Sequence, residues 1–354
     1  MVNERELLAA ARGGDEDAFR RLVGPLQPKL HAHCYRMMGS LYDADDALQD
    51  TLVNAWRGLA GFDGRSALST WLYRIATNAC LNAIKKRARN RALPVDRGFA
   101  SANPADAAAT PLLEPVWIEP YPDELVAADA DAADPEARYA QRESLELAFI
   151  AALQELPANQ RAALILCEVL GFSAREAADL LGATPASINS ALQRARKVVD
   201  QRGPQQSQQV ALRSLEDDEL AAVVQSYVHA MEHADVDSLV GMLADGASWS
   251  MPPQPAWFHG AEAIAAFLVE NPFKYFRWRL LPTSANGQLA TGCYSWDDER
   301  ASFVPHALNV LALRGDRIAS VVSFLDVSRR GAGGWSFFEN RLLTRFGLPN
   351  ELPG

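Results

Sequence analysis

The sequence predicts a multidomain chain: two all-α domains, the second carrying a helix-turn-helix, followed by an α+β domain. Three observations predict it. Apolar residues recur at helical spacing through residues 4–91 and again through 136–202. Around Ser173–Pro185 the order of cap, glycine and cap is that of two short helices meeting in a tight turn. After Gly246 the pattern changes to β-branched and aromatic runs, with turn signals at Asn286-Gly287 and Gly315-Asp316. Helices followed by antiparallel strands are the α+β order.

The bulk properties bound the answer. At 354 residues and 49% hydrophobic content the chain has room for two or three globular domains. Cys34, Cys80, Cys167 and Cys293 are far apart and form no CxxC pair. Neither a zinc site nor a disulfide framework is expected, and no other metal or cofactor is implied. The N-terminus, MVNERELLAAARGGDEDAF, has no signal-type apolar core, and no apolar run approaches the length of a membrane span. The expectation is a cytoplasmic chain with no membrane partner. The net charge of −10 is unevenly spread: +4 over residues 1–91, −8 over 92–135, zero over 136–203 and −6 over 204–354. A local basic surface is followed directly by an acidic segment.

Taken in order, Asp15 starts a helix that Pro25 and Pro28 bend or end, and a second runs from about Lys29 to Met38 before Gly39. Asp43 opens a third, DADDALQDTLVNAWRGL, with acids in its first turns where the helix dipole favours them. Ala44, Leu48, Leu52, Ala55 and Leu59 form its core stripe. Asp46, Gln49, Asp50, Val53, Trp56 and Arg57 lie off that stripe. They read either as a solvated face or as a partner surface anchored by Trp and Arg.

The next helix is capped by Ser69 or Thr70 and has two stripes. Leu72, Ile75, Ala76, Ala79 and Ala83 form one, which reads as core. Trp71, Arg74, Asn78, Asn82, Lys85 and Arg89 form the other, and the helix ends in the run Lys85, Lys86, Arg87, Arg89, Arg91. No acid lies between Asp63 and Asp96 to pair with these cations. Cations suit phosphates, amides suit base edges and a flat ring suits an unstacked base. The plainer reading is an amphipathic helix with a basic end.

Residues 92–135 are rich in Ala, Pro and Asp and read as a linker, except PLLEPVWIEPYPDELV. Its prolines favour an extended chain, and Leu112, Val116, Trp117, Ile118 and Tyr121 give that chain something to bury. This part is expected to dock on a partner or on another domain. Residues 136–202 are helical again, with one helix from Tyr139 to Gln154 and a break at Pro157. Ser173 caps a helix over Ala174–Leu181, Gly182 ends it in the left-handed conformation, and Thr184 with Pro185 starts the next. On that second helix Ile188, Leu192 and Ala195 face inward. Ser187, Asn189, Ser190, Gln193, Arg194, Arg196 and Lys197 are left to face DNA. The plainer reading is a helical hairpin. A polar linker at 203–213, an α+β domain at 214–330 and an apolar tail at 331–354 complete the chain.

With these residues in place the chain resembles the extracytoplasmic-function sigma factors, small members of the sigma-70 family. DADDALQDTLVNAW resembles the helix by which they grip the clamp helices of core RNA polymerase. FDGRSALSTWLYRIATNACLNAIKKRAR resembles the segment that opens and reads the minus-ten promoter element. LPANQRAALILCEVLGFSAREAADLLGATPASINSALQRARK resembles the domain that reads the minus-thirty-five element. The C-terminal part resembles a SnoaL-like domain of the NTF2 superfamily, a cone-shaped α+β fold. WIEPYPDEL also looks like the subgroup that carries it.

The resemblance implies core RNA polymerase and promoter DNA as partners. Asp46, Gln49, Asp50, Val53, Trp56 and Arg57 would bind polymerase. Arg65, Ser69, Trp71, Arg74, Asn78, Asn82, Lys85, Lys86 and Arg89 would bind the minus-ten element, an extruded base entering the Phe62–Leu68 loop. The exposed residues of the 185–197 helix would read the minus-thirty-five element. Asn189 and Ala191 stand where many relatives carry a basic pair, which leaves Arg194, Arg196 and Lys197 for phosphates. The acidic linker would thread the polymerase's basic channel. The cone would regulate in cis, with Trp249, Trp257, His306 and Asp326 as the candidate pocket for a small-molecule ligand. His229, His233 and His259 are further candidates, and no residue is assigned a catalytic role. Two alternatives stay open: a ligand-responsive helix-turn-helix regulator that works without polymerase, and a SnoaL-type isomerase or cyclase fused to a DNA-binding module.

Overall fold

Caps and prolines set most of the helix boundaries. In the computed structural model, which describes residues 4–86, 90–108, 112, 117–127, 135–203, 206–330, 334–337 and 342–354, α1 is Glu4–Arg12 and α2 is Glu16–Val23. The Asp15 carboxylate accepts from the amides of Asp17 and Ala18 at 2.9 and 3.0 Å. The prolines leave a 3₁₀ turn at Gly24–Leu26 before α3, Gln27–Met38, which Gly39 ends at φ 66°.

Ser40, rather than Asp43, caps α4 (Leu41–Gly58), accepting from the Asp43 amide at 3.2 Å. The buried stripe of α4 runs through Leu41, Ala44, Ala47, Thr51 and Ala55, while Leu48 and Leu52 are half-buried. Small side chains on that stripe let α4 pack closely on its neighbours. α5 is Leu68–Lys85; it starts earlier than expected and has no side-chain cap, since Ser69 and Thr70 fall inside its first turn.

The chain divides into two units, residues 1–91 with 124–204 and residues 92–123 with 205–354. The first unit continues with α6 (Glu124–Ala127), α7 (Pro135–Glu143) and α8 (Leu147–Glu155). The expected single helix from Tyr139 to Gln154 is two, broken at Ser144–Glu146, where Leu145 is fully buried. α9 (Ala158–Leu164) passes into a widened turn at Ile165–Val169. α10 (Ala174–Leu181) and α11 (Pro185–Arg202) complete the unit.

In the second unit, α12 (Gln208–Arg213) replaces the expected polar linker. Gln208 exchanges hydrogen bonds with the Leu313 backbone, and Gln209 donates to the Gly287 carbonyl at 2.5 Å. These glutamines act as extra backbone partners, which polarity alone does not reveal. α13 (Asp217–Glu232), α14 (Val236–Gly241), α15 (Ala261–Glu270) and α16 (Pro272–Tyr275) accompany one mixed sheet. Its strands are β1 (Leu243–Ser250), β2 (Trp257–His259), β3 (Trp278–Ala285), β4 (Gln288–Asp297), β5 (Ser302–Arg314) and β6 (Arg317–Leu325), in the order β2-β1-β6-β5-β4-β3. β1 and β6 are parallel and the other pairs along that order antiparallel. β7 (Val327–Arg330) pairs with β8 (Gly334–Phe337). Tyr227, Trp249, Phe258, Phe267, Trp278, Leu311 and Val321 belong to the core beneath the sheet.

Two segments outside the cone's strands dock on it. The described residues of 92–123 belong to this unit rather than to the helical one. The Ser101 amide donates to the Trp257 carbonyl, and Asn271 donates to the Pro104 carbonyl. Tyr121 exchanges backbone bonds with the β3–β4 turn: its amide donates to Asn286 Oδ1 and its carbonyl accepts from Asn286 N, both at 2.8 Å. Ile118 and Tyr121 are fully buried. Pro120 and Pro122 flank Tyr121, which with Ile118 and Trp117 is buried.

Residues 342–354, the described end of the tail, dock as well. Leu343 and Phe346 are buried, Tyr294 donates to the Pro349 carbonyl at 2.8 Å, and β9 (Leu352–Pro353) pairs with Ser302 and Phe303. A Cβ at Gly292 would lie 2.4 Å from Leu348 Cδ1, so the Leu348 side chain sits where only a glycine leaves it that room.

Candidate nucleic-acid interface

The helix-turn-helix forms as its caps dictate. Ser173 and Glu176 cap each other's backbone amides, Gly182 sits at φ 63°, and Thr184 accepts from the Ser187 amide at 3.2 Å. Ile188, Leu192 and Ala195 are buried. Ser187, Asn189, Ser190, Gln193, Arg194, Arg196 and Lys197 are all exposed along one side of α11. Ala191 is buried at 8% exposure, so it belongs to the packing face. Arg196 is already engaged: Glu168, on the widened turn after α9, pairs with its guanidinium and holds its pKa above the usual value. Glu168 carried no signal in the sequence, because 28 residues separate the partners.

On α5, Arg74, Asn78, Asn82, Lys85 and Lys86 are exposed and Ser69 is half-buried. Arg65 is exposed; its backbone amide donates to Asp63 and its guanidinium pairs with it, which together hold that carboxyl below the usual range. Arg89 lies outside the described residues.

Trp71 departs from this pattern. It is 8% exposed, its ring centroid is 5.0 Å from that of Phe62, and one ring edge rests against Gly58. The open stacking face expected from its stripe is therefore covered. At roughly 100° per residue, Trp71 borders the core stripe closely enough for a large ring to be drawn into it. Phe62 is buried too, and Arg12 donates to its carbonyl, so the base of the 62–68 loop is pinned.

On α4, Asp46, Gln49, Asp50, Val53 and Arg57 are exposed. Trp56 is half-buried, edge-on to Phe19 at 5.1 Å. Asp43, Asp46, Asp50, Asn54, Asn82 and Lys86 share one groove of about 400 Å³ between α4 and α5. The candidate partner-binding acids and part of the candidate DNA-binding stripe thus line the same cleft.

The cone's candidate residues do not converge on one site. Trp249 is in the core and donates to Ser323 Oγ at 3.0 Å. Trp257 lies opposite Ser250 in the β1–β2 ladder, while Trp249 lies opposite Phe258, so the two tryptophans are on opposite faces of the sheet. Trp257 instead donates to the Gly98 carbonyl at 3.2 Å. His306 is buried edge-on to Phe276 and Trp278, contacts Ser295 Oγ at 3.1 Å, and is lowered by burial to a pKa of about 4. Asp326 meets His306 through its backbone amide, and its carboxylate accepts from the Leu342 amide.

His229 and His233 stack on each other at the exposed end of α13, with centroids 4.1 Å apart, and His259 is exposed. The polar residues that do gather inside are different ones. Thr291, Asn309 and Ser323 lie side by side across β4, β5 and β6, and Asn309 donates to Tyr227 Oη at 2.8 Å. Their β-type alternation was visible in the sequence, but their register was not.

Family models match sigma-70 region 2 at residues 22–90, sigma-70 region 4 at 146–199 and a SnoaL-like domain at 224–321. The chain is 39% identical over 348 residues to the ECF RNA polymerase sigma factor SigG of Mycobacterium tuberculosis, covering 97% of this chain and 86% of that protein. It is 34% identical over 194 residues to SigM of the same organism, covering 55% of this chain and 81% of that one. The crystal structure of M. tuberculosis SigJ, an extracytoplasmic-function sigma factor, matches 85% of this chain and 94% of its own at a TM-score of 0.52 and 18% identity, which speaks for the fold. A helix-turn-helix with an open polar face, a second helical half with a basic stripe, and likeness along nearly the whole length place the chain in the extracytoplasmic-function family of RNA polymerase sigma factors, with a fused SnoaL-like domain.

Proposed function

We propose that the chain directs core RNA polymerase to promoters through three surfaces. The exposed face of α4, Asp46 to Arg57, docks the polymerase. The 62–68 loop and the Arg74–Lys86 stripe of α5 hold the separated minus-ten strand. The exposed side of α11 reads the minus-thirty-five element in the major groove.

The observation that carries this reading is the split of α11 between Ser187 and Lys197, with Ile188, Ala191, Leu192 and Ala195 buried and the amide, hydroxyl and cationic residues exposed. Trp71 acts as a buttress: packed on Phe62, it fixes the loop into which a base is extruded. Unstacking that base costs a few kcal/mol, which phosphate contacts from the α5 stripe and the loop offset. The basic end of α5 sets register on the backbone without reading sequence.

The SnoaL-like domain tunes these activities in cis, a role favoured by the seating of residues 92–123 along it. The Tyr227–Asn309 pair and its hydroxyl neighbours are where a polar small molecule would be held in the cone. In vitro transcription with core polymerase tests the whole reading: the full chain should yield defined start sites. Tight binding to duplex promoter that is indifferent to core polymerase would overturn it in favour of a free-standing regulator.

A further inference from the structure

Two histidines that the promoter reading leaves unused close the C-terminal end of α13. His229 and His233 are spaced i, i+4, which puts their side chains on one face of the helix a turn apart. Both are exposed, and their ring centroids are 4.1 Å apart at a tilt of 31°. A solvated helix end gains little from this. Two imidazoles so close repel when both are protonated, and each gives up rotamer freedom to stand there.

The tautomer of one ring is fixed. His233 Nδ1 lies 2.9 Å from the His229 carbonyl oxygen, which can only accept, so the proton is on Nδ1 and Nε2 keeps a bare lone pair. A carbonyl that holds one imidazole nitrogen while the other stays basic is the arrangement that orients metal-ligating histidines. The surroundings are negative as well. α13 presents its last carbonyls here, where a helix favours a cation. Ala234 follows at φ 53°, a conformation that strains any residue with a Cβ. Beyond that turn comes Asp235, whose Oδ1 accepts from the Ser238 amide at 3.0 Å and whose Oδ2 accepts from Ser238 Oγ at 2.6 Å. Its carboxyl is held below the usual range, first by these bonds and then by the two imidazoles beside it.

We propose that His229 and His233 form a binding site for a divalent transition-metal cation, ligated by one nitrogen of each ring, with Asp235 as the nearby carboxylate that offsets its charge. The site stands apart from the promoter reading above. Imidazole ligands suit copper, nickel and zinc, whereas magnesium and calcium require oxygen. Metal–nitrogen bonds of ~2.0–2.1 Å place two nitrogens on one ion ~3–3.4 Å apart, which rings at this separation reach by small changes of side-chain torsion. Among the described residues no three His, Cys, Asp or Glu side chains gather to enclose an ion. The remaining positions therefore belong to water. That favours copper(II) and nickel(II), whose tetragonal geometry accepts two nitrogens side by side, over the closed tetrahedral shell of structural zinc. The bound ion would cross-link the last turn of α13 to its cap.

The test uses the full chain with no added histidine tag, in a Cys167→Ser background that removes the one cysteine not fully buried. Calorimetric titration with nickel(II) should show one saturable site of micromolar affinity. Copper(II) should give an electron paramagnetic resonance spectrum split by two imidazole nitrogens. Asp235→Asn, which keeps the acceptor for the Ser238 amide, should weaken nickel binding about tenfold. His229→Gln and His233→Gln, both at exposed positions, should each weaken it by more than ~100-fold, beyond the loss of any outer partner. With nickel at a hundredfold excess over its Kd, amides in the last turn of α13 should exchange up to about 100-fold more slowly, and in neither histidine variant. No saturable binding at millimolar nickel overturns the site. Equal binding by the parent and both histidine variants overturns it too, since the ion then sits elsewhere in the chain. Neither result touches the promoter reading, whose own test is transcription.

Discussion

The seat of residues 92–123 on the cone turns on Asn286. It is fully buried at φ 57°, and with Gly287 at φ 68° it makes the two-residue β3–β4 turn. Such a turn needs positive φ at both positions, which Asn and Gly supply. Asn286 also clasps Tyr121, accepting from its amide through Oδ1 and donating to its carbonyl. Asn286→Gly keeps the turn and deletes the acceptor. The fully buried Tyr121 amide then loses this partner, at a cost of about 1–3 kcal/mol. That energy multiplies the undocked population about 5- to 150-fold. Amide hydrogen exchange resolves it: protection at Tyr121 should fall by that factor, while amides of the β4–β5 ladder such as Leu308 keep theirs. Equal loss at both places would mean that the variant loosens the whole domain, and no loss at Tyr121 would mean that Asn286 does not hold the segment. Either result refutes the reasoning.

Three further outcomes are expected. Thr184→Ala should destabilise α11 by about 1 kcal/mol through loss of the Ser187 cap, seen as lower exchange protection in its first turn and weaker binding to minus-thirty-five duplex. Glu168→Gln should release Arg196 to a phosphate, steepening the log–log salt dependence of that binding by about 0.9 without changing sequence preference. Burial holds His306 at a pKa of about 4, below the ordinary 6.5, so its unfolded form takes up a proton first as pH falls. The associated stability is complete above pH ~6.5 and is lost toward pH ~4, about 3 kcal/mol in all. Urea unfolding of His306→Phe across that window should be flatter by about that amount.

What the sequence disclosed and withheld follows from the range of the interactions. The helix-turn-helix was legible because Ser173, Gly182, Thr184 and Pro185 act within one turn of themselves. The Asn286-Gly287 and Gly315-Asp316 turns were legible for the same reason. Trp71 was misread because helical spacing gives an angle and not a neighbour, and Phe62 closes over its ring. Leu48 and Leu52 were overvalued as core because small residues, Ala44, Ala47 and Thr51, form the tight face. Gln208 and Gln209 looked like linker until Leu313 and Gly287, far away in sequence, supplied their partners. Trp257 was grouped with Trp249 on residue type, although the β1–β2 register puts them on opposite faces.

The docked segment also bears on regulation. Residues 117–123 cannot lie against the β3–β4 turn and at the same time thread the polymerase channel in the proposed complex. Seating on the cone and engagement by the polymerase therefore compete for one stretch of chain. Any factor that strengthens the Tyr121–Asn286 clasp must weaken the chain's affinity for core polymerase by the same ratio, because coupling between two binding events is reciprocal. Asn286→Gly should then tighten core binding by up to the 5- to 150-fold by which it frees the segment, to the extent that the wild-type segment is seated. Titration of labelled core polymerase with both proteins measures this. A Tyr121 amide that loses protection while core affinity stays constant would separate the cone from regulation altogether, leaving the seat as a purely structural contact.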